Sequence, residues 1–101
     1  MAPRTELHEK LVDILGSRNV YYDPPSNIKM KFPAIEYHLS KIDSVRADDK
    51  AYLFRVSYDM TFIEKLPNDD IIKKLLELPY CSFDRSFVSD NLHHYTFTIY
   101  Y

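Results

Sequence analysis

Hydrophobic and polar residues alternate along residues 51–65, AYLFRVSYDMTFIEK. Every even position from 52 to 62 is aromatic or apolar, whereas the odd positions between them include Arg55, Ser57 and Asp59. Because a β-strand directs successive side chains to opposite faces, alternation of this length predicts a strand. The pattern therefore predicts a sheet with one face that must be covered and one that can meet water or another subunit.

Two segments have the periodicity of an amphipathic helix. In residues 5–16 the apolar positions form one stripe, and Gly16 is a residue type that often ends helices. A second helix is predicted at about residues 69–78, with Asn68 as its N-cap and Pro79 ending it. The apolar stripe of the first helix is Leu7, Leu11, Ile14 and Leu15. We expect these helices to cover the aromatic face of the sheet.

Four further segments are predicted as strands: residues 19–22, 33–40, 80–88 and 93–101. Residues 41–50, KIDSVRADDK, are predicted to be a charged connector that closes an antiparallel pair. The predicted fold is α+β, in the order α-β-β-β-α-β-β. It consists of a mainly antiparallel sheet of four to five strands with two helices packed on one face.

Composition indicates one globular domain spanning residues 1–101, with 46% hydrophobic and 28% charged residues. The formal net charge is −2, so the chain lacks the basic excess that nucleic-acid binders usually carry. Nine tyrosines and six phenylalanines are the unusual feature. Tyrosine suits half-buried sheet faces and subunit contacts, because it joins an apolar ring to a polar tip.

The candidate chemistry is sparse. Cys81, His93 and His94 invite a thiol–imidazole site, but adjacent histidines in a strand point to opposite faces, and a structural cysteine is the more common case. The ligand spacing of a metal site is absent from the sequence, as are the common catalytic motifs. We therefore expect no enzyme activity, no metal and no cofactor.

No apolar run in the sequence has the length of a membrane span, and the first ten residues lack the apolar region of a secretory signal. With a single cysteine, an internal disulfide is impossible. We expect a protein without membrane partners that either is made inside the cell, in a reducing compartment, or simply has no need of disulfide bridges.

The C-terminal part of the chain, residues 75–101, resembles the small tail-terminator (tail-completion, neck) proteins of long-tailed phages and prophages of Gram-positive bacteria. The resemblance is concentrated in PYCSFDR at residues 79–85 and DNLHH at residues 90–94. FPAIEY at residues 32–37 and SVRAD at residues 44–48 add a weaker upstream match. The resemblance covers about two thirds of the chain.

The resemblance implies a structural virion protein that forms a six-fold ring at the tail–head junction after assembly in the bacterial cytoplasm. Such a ring caps the last ring of the tail tube, stops tube growth and docks the head-side connector or stopper protein, and DNA passes through its lumen as cargo. Two alternatives remain open. One is a head-completion or stopper protein of the same neck, and the other is a small nucleic-acid-binding α+β module.

The residues proposed for contacts between subunits are an inference rather than a motif. They belong to the charged segment 41–50 and to the end of the last strand, since each protomer of a ring must present two different surfaces. The charged segment is equally compatible with a solvated hairpin tip. The candidate contact residues are Arg46, Asp48, Asp49, Lys50, Tyr100 and Tyr101.

Overall fold

The computed structural model describes residues 4–25, 28–47, 50–66 and 69–101, with residues 43–47, 50–54 and 69 described by their backbone. The α+β fold and the predicted order α-β-β-β-α-β-β are confirmed. In chain order the elements are α1 (Arg4–Leu15), β1 (Val20–Tyr22), β2 (Ala34–Ala47), β3 (Lys50–Glu64), α2 (Asp69–Leu76), β4 (Cys81–Ser89) and β5 (Leu92–Tyr100).

The five strands form one mixed sheet in the order β1-β2-β3-β5-β4. β1 runs parallel to β2, and the other three neighbouring pairs are antiparallel. β5 therefore lies between β3 and β4, and β4 forms one edge of the sheet. The opposite edge consists of the short β1 and of the part of β2 that extends past it.

The hydrophobic core lies against the sheet face predicted to be aromatic. Tyr58 is opposite Ile99 and Met60 is opposite Phe97, so these buried residues share one face. Both helices add leucine or isoleucine side chains to the same cluster. Its helical members are Leu7, Leu11, Leu15, Ile71 and Leu75, and its strand members are Val20, Ile35, Tyr37, Val56, Tyr58, Met60, Phe62, Phe97 and Ile99.

Both predicted helices are present, with small differences at their ends. α1 ends at Leu15, and Gly16 follows with φ of 79°, a left-handed conformation that glycine adopts without strain. The Gly16 N–H donates to the Val12 carbonyl at 2.9 Å. α2 ends at Leu76, two residues earlier than predicted, and the proposed N-cap Asn68 lies outside the described residues.

The predicted antiparallel pairing across residues 41–50 is confirmed, but the prediction that this segment is a connector is wrong for residues 41–47 and 50, which belong to the strands. β2 continues to Ala47, and β3 begins at Lys50. The register is irregular between Leu39 and Lys41, where Ser40 is an extra residue of β2. Because this bulge shifts the alternation by one position, Ile42 rather than Lys41 continues the apolar face after Leu39. The phase change makes a continuous strand resemble a strand followed by a polar loop.

The last two strands form the predicted hairpin, with β4 ending one residue later and β5 beginning one residue earlier than predicted. β4 and β5 join through Asp90 and Asn91, whose φ angles are 53° and 62°. Two successive residues with positive φ are the signature of a type I′ turn, and asparagine and aspartate are among the residues that tolerate it best. The polar segment SDNL thus forms a two-residue turn flanked by the paired residues Ser89 and Leu92.

Candidate assembly surfaces

The β2–β3 hairpin extends beyond the other strands. β5 pairs with β3 from Ser57 to Glu64, and β1 pairs with β2 from Ile35 to Tyr37. The rest of the hairpin, residues 42–47 with 50–56, is a two-stranded ribbon that we call the arm. The molecule is correspondingly elongated, with principal extents of 52 × 30 × 23 Å. An isolated two-stranded ribbon is marginally stable in water, so an arm of this kind gains from a neighbour.

Two candidate contact residues lie at the far end of the arm. Arg46 is opposite Ala51, and Lys50 is opposite Ala47 in the last described pair of the ladder. Asp48 and Asp49, the other two candidates of this segment, lie outside the described residues. The far end stands about 20 Å from Val56 at the base of the arm, given about 3.3 Å per strand residue.

Tyr100 and Tyr101 lie at the base of the arm, where β5 ends. Tyr100 is opposite Ser57, and its ring lies 5.0 Å from the Arg55 guanidinium carbon. The Tyr101 N–H donates to the Val56 carbonyl at 3.0 Å, and the Lys10 ammonium lies 5.0 Å from the centre of the Tyr101 ring. Both tyrosines are half-buried and contact cations of their own chain. All described candidate residues thus lie along one structural feature, from its base to its far end.

The edge strand β4 is the second candidate surface. Every residue from Ser82 to Ser89 is exposed, including the large apolar side chains of Phe83 and Phe87 and Val88, which is 64% exposed. A sheet edge presents unpaired backbone N–H and C=O groups and can pair with another strand. β4 contains no proline and no lysine, although Asp84, Arg85 and the register shift between Phe83 and Arg85 limit pairing at the middle of the strand. The sequence predicted this strand but not its position at an edge.

The sheet face opposite the core carries a polar cluster. His38 Nδ1 lies 3.2 Å from a Glu36 carboxylate oxygen, and His38 Nε2 lies 3.6 Å from Asp59 Oδ2. Next to it the Thr98 hydroxyl donates to Asp84 Oδ2 at 2.8 Å. A shallow depression of about 310 Å³ lies here, lined by residues that include His38 and Arg85. The cluster agrees with the prediction of a mixed, polar second face, whose alternation identified Asp59 but not its partners.

The cysteine and the paired histidines do not form a common site. Cys81 is opposite Ile99, whereas His93 and His94 are opposite Val88 and Phe87. Six positions of β5 separate Ile99 from His93, which corresponds to about 20 Å. Burial raises the pKa of the Cys81 thiol to about 11, with a smaller contribution from Asp84. A thiol with such a pKa is a poor nucleophile at neutral pH.

Each histidine of the pair packs against an aromatic ring instead. The His94 ring is stacked on Phe87, with centroids 4.7 Å apart, and His93 is stacked on Tyr95 at 6.5 Å. Within the described part of the chain, no three His, Cys, Asp or Glu side chains are grouped as metal ligands would be.

Comparisons with known proteins add no relative. A scan of protein-family models finds no match to this chain, and a search of curated proteins finds none either. Neither of the helices in the described ranges is long and apolar enough to cross a membrane. Function is therefore inferred from the sequence resemblance together with the geometry of the arm, the β4 edge and the two sheet faces.

Proposed function

We propose that this protein is a structural component of a phage virion that assembles as a ring at the end of the tail tube. In this role it ends tube polymerisation and offers a docking surface to the head-side connector, and the DNA passes through its lumen. The proposal starts from the sequence resemblance of residues 75–101, and the observation that supports it best is the presence of two unlike open edges on one sheet.

A ring built from identical subunits requires two different surfaces on each subunit, because one surface must meet the other on its neighbour. The chain has one open edge at β4 and another along β2 past the end of β1. These edges lie on opposite sides of the same sheet and differ in sequence. A head-to-tail arrangement of the subunits follows naturally from such a pair of surfaces.

The charge distribution supports passage of DNA rather than tight binding. With a net charge of −2, a ring of this chain lacks the cationic excess that holds phosphates through counterion release. On the polar face the His38 ring contacts the carboxylates of Glu36 and Asp59. A polar face of this kind favours contact with water or with another polar protein surface.

The alternative of a nucleic-acid-binding module requires cations and aromatic rings that are free to contact a strand. Here the Arg55 guanidinium lies over Tyr100, and the Arg85 guanidinium lies 5.3 Å from the centre of the Phe87 ring. Asp84 precedes Arg85 on the same strand. These arrangements disfavour a stacking platform. A stopper protein of the same neck shares the ring architecture with our proposal and differs from it in the layer it occupies.

The test combines imaging with a DNA-binding assay on the full chain. Negative-stain images of concentrated protein are expected to show rings with a central opening, and a labelled DNA duplex is expected to remain unbound at about 50 mM salt, where electrostatic binding is strong. A protein without rings that binds the duplex, and that loses this affinity at about 200 mM salt, would instead be a nucleic-acid-binding module.

A further inference from the structure

The hydrogen bonds at the two ends of β4 show which of its residues direct their backbone N–H and C=O groups away from β5. A two-residue type I′ turn makes Ser89 and Leu92 a hydrogen-bonded pair, and such pairs alternate along an antiparallel ladder. The N–H and C=O groups of Val88 and Ser86 therefore point away from β5. The Arg85 N–H agrees with this assignment, because it points toward β5 and donates to Thr96 Oγ1 at 3.2 Å.

The other end of β4 gives the same result. The Tyr100 N–H donates to the Tyr80 carbonyl at 3.1 Å, so the next residue, Cys81, begins the set of outward positions. By alternation Phe83 is the second of them, before the register shifts at Asp84. β4 thus directs Cys81, Phe83, Ser86 and Val88 outward, on an edge that faces no other strand of the sheet. The Cys81 N–H already donates to the Leu78 carbonyl at 3.3 Å, so the outward N–H donors open to another strand are those of Phe83, Ser86 and Val88.

β2 has an open edge of comparable length, which begins past β1 and continues into the arm. β1 ends at Tyr22, opposite Tyr37, and the Asp23 N–H donates the last hydrogen bond to the Tyr37 carbonyl at 2.8 Å. From Leu39 to Ala47, β2 pairs only with β3 within the described sheet. The ladder alternation directs the backbone groups of Leu39 and Ile42 away from β3.

Both open edges carry exposed apolar side chains on the same face of the sheet. Leu39 is opposite Tyr58, and Ile42, which is 58% exposed, is opposite Val56. On the other edge Phe83 is opposite Phe97, and Val88 is opposite His93, which is itself opposite Glu64. The registers place Leu39, Ile42, Phe83 and Val88 on the face that carries the core. A sheet that continues from one chain into another keeps its faces, so edge pairing would bring these side chains together.

We infer that the outer edge of β4 is extended by the arm of a second copy of this chain, through strand addition to the β2 side of the arm. This inference deepens the proposed function and rests on it, because it identifies the two surfaces that join neighbouring subunits of the ring. The contact satisfies the open backbone groups of both edges, covers the apolar residues on the shared face and gives the protruding ribbon a third strand. It is heterologous, so repetition produces a ring if the rotation closes.

The first experiment removes one outward hydrogen-bond donor. Ser86 is exposed, and proline is tolerated on an edge strand where the missing N–H faces outward. Ser86→Pro is expected to weaken self-association by about tenfold or more, because a ladder hydrogen bond is lost and the added ring hinders pairing. Ser86→Ala keeps the N–H and is the matched control, and its association constant is expected to equal that of the original protein. Light scattering over a concentration series measures the association constants of both variants.

The second experiment keeps the backbone intact and identifies the occupant of the edge. In a Cys81→Ala background, one preparation carries Ile42→Cys and the other carries Ser86→Cys. After mixing with a short bismaleimide linker, the inferred contact predicts a crosslink between the two different variants. It predicts no crosslinked dimer in either preparation alone.

The outcomes separate the inference from the proposed function. Rings that withstand Ser86→Pro and give no 42–86 crosslink would overturn the inference and leave the proposed ring standing. Crosslinked dimers of Ser86→Cys alone would overturn it in favour of a two-fold contact between β4 strands. A protein that remains monomeric at every concentration, with no crosslink, would overturn both the inference and the ring.

Discussion

The Nδ1 atom of His8 on α1 lies 2.8 Å from the hydroxyl oxygen of Tyr37 on β2. The Arg4 guanidinium donates to the same hydroxyl at 3.2 Å. Tyr37 is fully buried, with its ring 5.0 Å from Tyr22 and 5.9 Å from Tyr58. One hydroxyl thus joins the first two turns of α1 to the middle of the sheet.

We predict that Tyr37→Phe destabilises the protein. The substitution keeps the ring and its packing but leaves the partly buried His8 and Arg4 without their shared partner. The expected loss is about 1–2 kcal/mol in the free energy of unfolding, measured by urea denaturation. Tyr80→Phe is the control, because Tyr80 is 83% exposed, and its change should stay within about 0.5 kcal/mol. Equal stability of the Tyr37 variant and the original protein would contradict the role given to this hydroxyl.

The free energy of unfolding is predicted to fall at alkaline pH because the buried tyrosines ionise less readily in the folded chain than in the unfolded chain. Burial raises the pKa of Tyr37 and of Tyr58 above the ordinary value of 10.0. The folded chain therefore keeps protons that the unfolded chain releases, so stability present below pH 10 is lost as the pH rises through the folded pKa values.

The measurement is urea denaturation between pH 8 and pH 11, compared with a variant that carries Tyr37→Phe and Tyr58→Phe. Both proteins carry Cys81→Ala, because the Cys81 thiol has a raised pKa in the same range. The decline with pH is expected to be shallower in the double tyrosine variant. Parallel pH profiles would contradict the prediction.

Alanine substitutions at two adjacent leucines of α2 are predicted to differ sharply in their effect on stability. Leu75 is fully buried in the core, whereas Leu76 is 43% exposed. Leu75→Ala should cost about 2–5 kcal/mol, because it removes buried methyl groups and leaves a cavity. Leu76→Ala should cost well under 1 kcal/mol, and chemical denaturation of both variants tests the register of the helix. A larger loss of stability for Leu76→Ala than for Leu75→Ala would show that α2 packs through a different face.

Cys81 is predicted to react slowly in the folded protein. Its pKa of about 11 lies two units above the ordinary value of 9.0, so the thiolate fraction at pH 8 falls by about 100-fold. Alkylation by iodoacetamide at pH 8, followed by mass spectrometry, should be slower by at least this factor in buffer than in denaturing urea. Equal rates in the two conditions would indicate an accessible, reactive thiol and reopen the question of a thiol site.

The elements with uninterrupted periodicity could be predicted from the sequence. β3 followed from its alternation, α1 followed from its leucine stripe, and the hairpin of β4 and β5 followed from its polar turn. The arm was missed because the bulge at Ser40 shifts the alternation of apolar and polar residues along β2 by one position. A prediction that assumes strict alternation therefore ends the strand at this residue. The charged residues of the segment reinforced the prediction of a loop.

The order of the strands could not be deduced from local patterns. β5 lies between β3 and β4, so β4 is an edge strand although its sequence includes Phe83, Phe87 and Val88. Periodicity reports which side of a strand is apolar, but exposure at an edge depends on pairing between distant segments. For the same reason the described contact residues proposed from the sequence lie on the arm or at its base, while the β4 edge was not recognised.

The molar mass of the full chain in solution tests the central claim most directly, because two unlike edges are proposed to join identical subunits head to tail. Size-exclusion chromatography with light scattering, run over a range of loading concentrations, should show a closed oligomer of defined subunit number that grows at the expense of monomer. A monomer that persists at every concentration, or a dimer that never grows, would contradict the account.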